Sequence, residues 1–381
     1  MVWRETSVED ERREFTDLAS REGANVAALC ARFGISRQTG YVWLRRRMAG
    51  ETAFANRSRR PHASPCRLPP EIETRICALR RAHPVWGARK LAALLRREGT
   101  EPPAVSTIHA ALLRNDLVGD DARRPRAYGR FEREEPNALW QMDFKGREKL
   151  ACGEWVHPLT IIDDNSRYAV CLSACVDQKT HTVRERLIGA FRHCGLPAAI
   201  YVDNGSPWGA GKPGQWTRLR VWLLKLGVET IHGAPYHPQG RGKCERFHRS
   251  LMAEVFSMAP LHGFTQAQQA FDSWRRVYNY ERPHEALGLA TPSTRYVPSP
   301  RAFPERLPEP LYDEGEILRK VPTSKQYIRF RGRWWILPEA FAGETVAIRP
   351  RLPDGTFSIC FGSVEVGTID INRPADAPQK L

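Results

Sequence analysis

Apolar positions in the first third of the chain recur at helical spacing, whereas between residues 139 and 231 they alternate or run together as strands do. Over residues 25–47 the pattern reads as a short helix, a turn at Gly34 and a second helix capped by Ser36, with Leu29, Phe33, Ile35 and Leu44 as a small core. A second helical unit follows, with Ile72, Ile76 and Leu79 on one face, then Leu91, Leu94 and Leu95, then Ser106 capping a last helix. Further on, strands are predicted over 139–145, 155–162 and 168–172, the last two split by the turn Asp163-Asp164-Asn165-Ser166. A helix over 182–193, a strand over 199–202, a helix over 219–226, a strand over 228–231 and a helix over 242–258 complete a mixed sheet flanked by helices. Beyond the proline-rich stretch 292–310, aromatic and β-branched residues alternate around a Pro353-Asp354-Gly355 turn. This predicts a small β-barrel, closed to limit exposed edges and folding on its own. Four units are therefore expected: all-α helix-turn-helix units over 1–50 and 65–118, an α/β core over 137–290 and the barrel over 311–372.

Composition narrows what these units do. At 381 residues the chain exceeds what a single core usually organises. Its formal charge of +15 makes a polyanion, nucleic acid first, the expected partner. No stretch approaches the roughly 20 apolar residues of a spanning helix, and the first residues lack a signal-peptide core, so a cytosolic protein with no membrane partner is expected. Nine cysteines without regular spacing read as reduced thiols. His62, Cys66, Cys77 and His83 are residue types that bind zinc, but their spacing matches no common finger and Cys77 falls on an apolar helix face.

The charge is modestly concentrated toward the start, where residues 1–135 carry 26 Lys and Arg against 18 Asp and Glu. In the first helix-turn-helix, Arg37, Gln38 and Thr39 stand at the start of the second helix, the part that faces base edges. Arg45, Arg46 and Arg47 close that helix and add phosphate-binding charge. Double-stranded DNA is the partner these features fit.

Three acidic residues stand where an α/β protein carries its chemistry. Asp143 lies within the first core strand, Asp203 ends a short strand, and Glu245 sits near the start of a helix. An Asp inside an apolar strand is costly to bury, and converging carboxylates repel one another unless cations neutralise them. Oxygen-only ligands of this kind suit magnesium.

The blocks WQMDFKG, YVDNGSPW, APYHPQGRGKCERFHRSL and YNYERPHEALGLATPSTRY closely resemble the catalytic core of bacterial insertion-sequence transposases of the DDE type, which have a retroviral-integrase-like fold. The resemblance is strong over residues 137–296, moderate over the helix-turn-helix region and weak in the tail. It implies an RNase H-like core in which Asp143, Asp203 and Glu245 match the family's Asp, Asp, Glu triad, holding two Mg²⁺ ions that Mn²⁺ can replace. It also implies binding to the terminal repeats of a mobile element, followed by end cleavage and strand transfer into target DNA. Pairing of two ends calls for a homo-oligomer on DNA. Asn204, His237, Lys243, Arg246 and Arg249 are candidates to contact phosphates or orient DNA, Arg249 lying one helical turn from Glu245.

One departure is the interval between Asp203 and Glu245, 41 residues, longer than the family commonly shows. The excess falls in the loop Gly209 to Gly214, tolerable at modest entropic cost. That loop lacks the earlier glycine of a phosphate-binding loop and has Pro213 after its lysine, so no nucleotide cofactor is expected. Two rival functions remain: a helix-turn-helix regulator without catalysis, and an RNase H-like nuclease. The complete triad argues against the first, and the sequence-reading units with the ERPH block argue against the second.

Overall fold

A computed structural model describes residues 7–57, 68–118, 132–209, 215–233, 242–372 and 379–380. The chain separates into two compact units, Met1–Arg67 and Leu68–Leu381.

The first unit has three helices: α1 (Val8–Ala19), α2 (Val26–Arg32) and α3 (Arg37–Met48). The Asn25 side chain caps α2, Gly34 turns the chain at φ +64°, and the Ser36 hydroxyl accepts the Thr39 N–H at 3.1 Å, as the helix-turn-helix reading requires. Helix α1 was not anticipated. It opens on a capping box between Ser7 and Asp10 and brings Phe15 to the centre of a core shared with Cys30, Trp43 and Phe54. Leu29, Phe33, Ile35 and Leu44 surround that core and are only partly buried. Gly40 lets α3 lie close: a Cβ there would stand 2.6 Å from the Cys30 sulfur and 3.0 Å from the Phe15 ring.

The second unit opens with α4 (Pro70–Ala82), α5 (Ala88–Arg97) and α6 (Val105–Arg114), packed around Ile76, Trp86, Leu91, Leu95 and Ile108. The faces read from Ile72 and from Leu91 to Leu95 are the ones turned inward. Ser106 does not cap α6. The cap position is Ala104, which makes no side-chain bond, and Ser106 lies inside the first turn.

The central sheet has the order β4-β3-β1-β5-β6, formed by β1 (Trp140–Phe144), β3 (Trp155–Asp163), β4 (Ala169–Cys175), β5 (Ala199–Val202) and β6 (Glu229–His232), with the short β2 (Glu148–Lys149) also pairing with β3. Strand β3 runs against β1 and β4, whereas β1, β5 and β6 are mutually parallel. This is the mixed sheet expected. Helices α7 (Thr180–Cys194) and α8 (Arg218–Lys225) cover one face around Trp140, Leu187, Phe191 and Trp222. Helices α9 (Gly242–Leu251) and α10 (Phe264–Tyr280) cover the other around Phe247, Phe271, Trp274 and Tyr278. The helix expected over 242–258 ends at Leu251 and passes into a π turn, Met252–Phe256, in which Glu254 takes the Trp274 indole N–H at 2.8 Å and pairs with Arg282. Helix α10 was not foreseen.

The expected closed barrel is not found. The tail forms two separate sheets: β7 (Ile317–Lys320) with β10 (Thr345–Arg351), β11 (Thr356–Phe361) and β12 (Val364–Asp370), and β8 (Tyr327–Phe330) with β9 (Arg333–Ile336) and β13 (Gln379–Lys380). A 3₁₀ turn at Glu339–Phe341 breaks the strand pattern between β9 and β10, so the ladder does not continue from one sheet to the next. Both sheets share a core with α8: Val221 is buried in it, Trp216 and Leu224 pack against it, and the Trp216 and Phe341 rings meet edge to face at 5.2 Å. The Lys225 ammonium, 7% exposed, lies 2.9 Å from Glu344 and 3.3 Å from Glu309.

The tail, expected to fold by itself, shares its core with α8. A chain ended after residue 310 uncovers Trp216, Val221 and Leu224. Calorimetry should show the remainder melting several degrees below the full chain, since each uncovered apolar side chain forfeits up to about 2 kcal/mol. An unchanged melting temperature with no rise in dye binding would mean that α8 does not need this cover.

Candidate active site

Strands β1 and β5 pair in parallel, Trp140 with Ile200 and Gln141 with Tyr201. Two residues further along each strand, Asp143 and Asp203 reach the same level. Neighbouring strands lie about 4.8 Å apart, so the two residues stand at the C-terminal end of the central pair, the end at which open α/β sheets carry their sites. Both are partly exposed.

The surroundings of Asp203 are built close to it. Its Oδ1 accepts the Gly205 N–H at 3.0 Å, and a Cβ at Gly205 would come within 3.2 Å of both carboxylate oxygens. Its carbonyl meets Nδ1 of His232 at 3.1 Å. Burial holds the His232 imidazole below its usual range, so it is neutral: Nδ1–H donates, and Nε2 is left buried with a lone pair and no hydrogen-bond partner. Asn204, a candidate DNA contact, donates its amide to the Gly233 carbonyl at 2.9 Å and so ties the end of β5 to the end of β6.

On the other side of Asp143, its partner on β3 is Thr160, whose hydroxyl donates to the Asp143 carbonyl at 3.0 Å. The same hydroxyl lies 2.8 Å from Nε2 of His248 on α9. A hydroxyl has one proton, so with that proton on the Asp143 carbonyl the Nε2–H of His248 is the donor. Burial, with Lys145 adding positive charge nearby, pushes His248 down to about 4, consistent with a neutral ring. Lys243, two residues before Glu245, is bound to Asp164, a side chain with no exposure. Its role as a free phosphate contact gives way to an internal ion pair, and burial lowers its pKa more than the pair raises it. Asp164 also accepts from the Gln141 amide at 2.7 Å and the Arg133 N–H at 2.8 Å. Asp163 takes the Asn137 N–H at 2.7 Å and both donors of Ser166. The two acids form the expected turn and also anchor the strands around it.

Glu245 itself is exposed in the first turn of α9, as are Arg246 and Arg249, while His237 lies outside the described residues, as do His62, Cys66 and residues 210–214. Among the described residues no three Asp, Glu, His or Cys side chains stand together as a metal cluster. Asp143 and Asp203 thus lie at neighbouring strand ends, and α9 is tied to the adjacent strand through His248 and Thr160. His248, Thr160 and Asp164 were missed as members of the site. The only sequence signal was the spacing of His248, three residues after Glu245 and hence on the same flank of the helix.

In the first unit Arg37, Gln38 and Thr39 are exposed, with the Thr39 hydroxyl 2.9 Å from that of Ser36. Arg45 is exposed. Arg46 is packed over the Trp43 ring at 4.4 Å and bonded to Glu51 at 2.6 Å, and Arg47 pairs with Asp17.

Residues 133–238 and 226–292 match integrase core domains, residues 11–62 a helix-turn-helix domain, residues 39–112 a homeodomain-like domain, and residues 317–376 the C-terminal domain of IS481-family transposases. A 31.7 kDa protein of insertion element IS407 from Burkholderia multivorans is 28% identical over 228 residues, covering 58% of this chain and 79% of its own. A 39.2 kDa protein of insertion element IS476 from Xanthomonas euvesicatoria is 27% identical over 281 residues, covering 71% and 78%. Among solved structures, a simian T-cell lymphotropic virus intasome in complex with PP2A regulatory subunit B56 gamma aligns with TM-score 0.37 at 16% identity, over 76% of this chain and 97% of that one. No helix among the described residues is long and apolar enough to cross a membrane.

The depressed His248 value carries a pH signature. Its folded pKa lies below its unfolded value of 6.5, so between about pH 6.5 and 4 the unfolded chain binds more protons and stability falls as pH falls. The loss from this group approaches about 3 kcal/mol at the acid end. His248→Gln, which can still donate to Thr160, should flatten that limb in urea unfolding measured from pH 7 to 4. Identical pH slopes for variant and parent would rule out a buried neutral ring.

Proposed function

We propose that this chain, a transposase that joins helix-turn-helix DNA-binding units to an integrase core, cuts the ends of a mobile element and joins them to target DNA at Asp143, Asp203 and Glu245. The observation that carries the assignment is the register of β1 and β5, which sets Asp143 level with Asp203 inside the segment that matches the integrase core.

An integrase core implies polynucleotidyl transfer, and cores of this type generally use a divalent metal. The donor set fits one: two hard oxygen ligands stand at adjoining strand ends, and Gly205 keeps the space beside one of them clear. Asp143, Asp203 and Glu245 would hold it, and oxygen ligands alone favour magnesium, with manganese as a substitute. When bound, two such ions would supply charge neutralisation at the attacked phosphodiester and at the departing 3′-oxygen. The chain's own residues set the geometry. Lys243 with Asp164 and His248 with Thr160 pin α9 on either side of Glu245, so that its carboxylate is presented from a held helix. Water attacks the phosphodiester at the element end, and the freed 3′-hydroxyl then attacks the target strand at the same carboxylates, with no covalent enzyme intermediate.

Recognition falls to residues 1–50 and 65–118, with Arg37, Gln38 and Thr39 at base edges and Arg45 on phosphate. The tail, 311–372, serves nonspecific DNA contact or assembly, and pairing of two element ends calls for a multimer on DNA. Arg46 and Arg47 act within the fold of the first unit.

Glu245→Gln keeps size and hydrogen bonding but removes the charge that would hold a cation. Asp143→Asn and Asp203→Asn do the same. Each should bind terminal-repeat DNA as the parent does while end cleavage and strand transfer fall by several orders of magnitude, equivalent to several kcal/mol of barrier. Cleavage of labelled element-end DNA, run beside a gel shift on the same preparations, reads both. Mn²⁺ should support the parent, and Ca²⁺ should permit binding without efficient chemistry. Undiminished cleavage by Glu245→Gln sinks the triad. DNA binding by a parent that cuts no DNA would favour a regulator.

A further inference from the structure

We propose that the junction of α5, α9 and the segment following α10 binds a DNA backbone phosphate, with Lys90 as its central cation, beside the residue proposed as the third catalytic carboxylate. The inference rests on the transposase reading above and adds to it a phosphate contact supplied by the second helical unit.

The junction is built, not incidental. At one end of α5 the Arg97 guanidinium donates to the Glu281 carbonyl at 2.9 Å and to the Leu289 carbonyl at 2.8 Å, and Val277 of α10 packs against the α4–α6 core. Near its other end two cations lie over one ring: the Lys90 ammonium is 5.9 Å and the Arg282 guanidinium 5.8 Å from the centroid of Trp86, which is almost fully buried. Arg282 is committed elsewhere, to Glu254 and to the Ser250 hydroxyl at 3.1 Å. Lys90 forms no ion pair among the described residues. The acid whose charge reaches it, Glu285, sits 4.0 Å from Arg89. Arg246, the exposed residue immediately after Glu245, adds a further positive charge from α9.

A largely buried ammonium between like charges is costly to keep. Burial first, then Arg282 and Arg246, bring Lys90 down to about 7 despite the opposing pull of Glu285. An incoming phosphodiester, a monoanion, would offset the repulsion from Arg282 and Arg246 and give the ammonium a partner for its buried charge. DNA is the source the position favours, because Arg246, whose charge reaches Lys90, immediately follows Glu245 on α9.

The full chain can be pulse-labelled with acetic anhydride at pH 7, alone, with a random-sequence duplex, and with inorganic phosphate at equal phosphate concentration. Peptide mass spectrometry reads each lysine. Lys90 should label rapidly in the free chain, several-fold less with duplex, and unchanged with inorganic phosphate. Lys90→Gln should lower the slope of log affinity against log salt by about one, with Lys90→Arg restoring it. Lys90 unprotected under saturating duplex, or an unchanged slope for a folded Lys90→Gln, overturns the site while leaving the transposase reading intact. Equal protection by inorganic phosphate overturns DNA as its ligand. A parent that binds no duplex overturns both.

Discussion

The parallel pairing of β1 with β5, which leaves Asp143 and Asp203 at neighbouring strand ends, is the constraint around which the central sheet is organised. Strand pairing, not side-chain choice, sets their separation, because Asp143 and Asp203 each lie two residues beyond a paired position. Carboxylates that converge at such strand ends repel each other, and a bound cation would turn that repulsion into attraction. Gly205 and Gly233 follow from this arrangement. Each allows the chain to close tightly, one against the Asp203 carboxylate and the other against the Tyr201 hydroxyl, where any Cβ would intrude.

The same constraint explains why so many polar groups are buried near the turn between β3 and β4. The apolar contacts of Cys244, Phe247 and Leu251 fix the depth of α9 but only weakly fix its rotation, so the helix needs further restraint. Buried ion pairs add little net stability, yet breaking one by removing a partner costs about 3–5 kcal/mol. Lys243 with Asp164 is such a pair, and together with His248 on Thr160 it resists rotation of α9 on both sides of Glu245. Asp164 in turn holds Gln141 of β1, so the helix and the strand bearing Asp143 share one anchor.

Much of this was legible in the sequence, and the failures have identifiable causes. An Asp inside the largely buried strand Trp140–Phe144 announced itself by its cost, and Gly34 with Ser36 announced a turn and a cap through their backbone and side-chain chemistry. Helix α10 escaped because its stripe of Phe264, Ala267, Phe271, Trp274 and Tyr278 ends in the ERPH block, which reads as a motif before it reads as a helix. Ser106 was misread because a serine two residues into a helix looks the same in one dimension as a serine at its cap. The barrel failed for a different reason. Alternation identifies strands but not which strands pair, and the apolar residues on the outside of α8 that complete the tail's core lie nearly a hundred residues earlier in the chain. Asp163 and Asp164 looked like turn residues because they are turn residues, and nothing local reveals that both are fully buried.

The contacts of α5 bear on how recognition and chemistry would be joined. If the second helical unit were tethered only through the linker before residue 132, binding DNA would raise the local concentration of the core and do nothing for its orientation. Arg97 instead bonds two carbonyls of the segment following α10, and Val277 enters the core of the unit, so the helices are bonded to and packed against the body that holds the sheet. That segment also supplies Arg282, which holds the π turn at the end of α9 through Glu254. Arg282 thus links the segment bonded by Arg97 to the π turn that follows the helix bearing Glu245. A run of satisfied bonds of this kind would favour one placement of DNA on α5 over others, because a different placement would have to strain them.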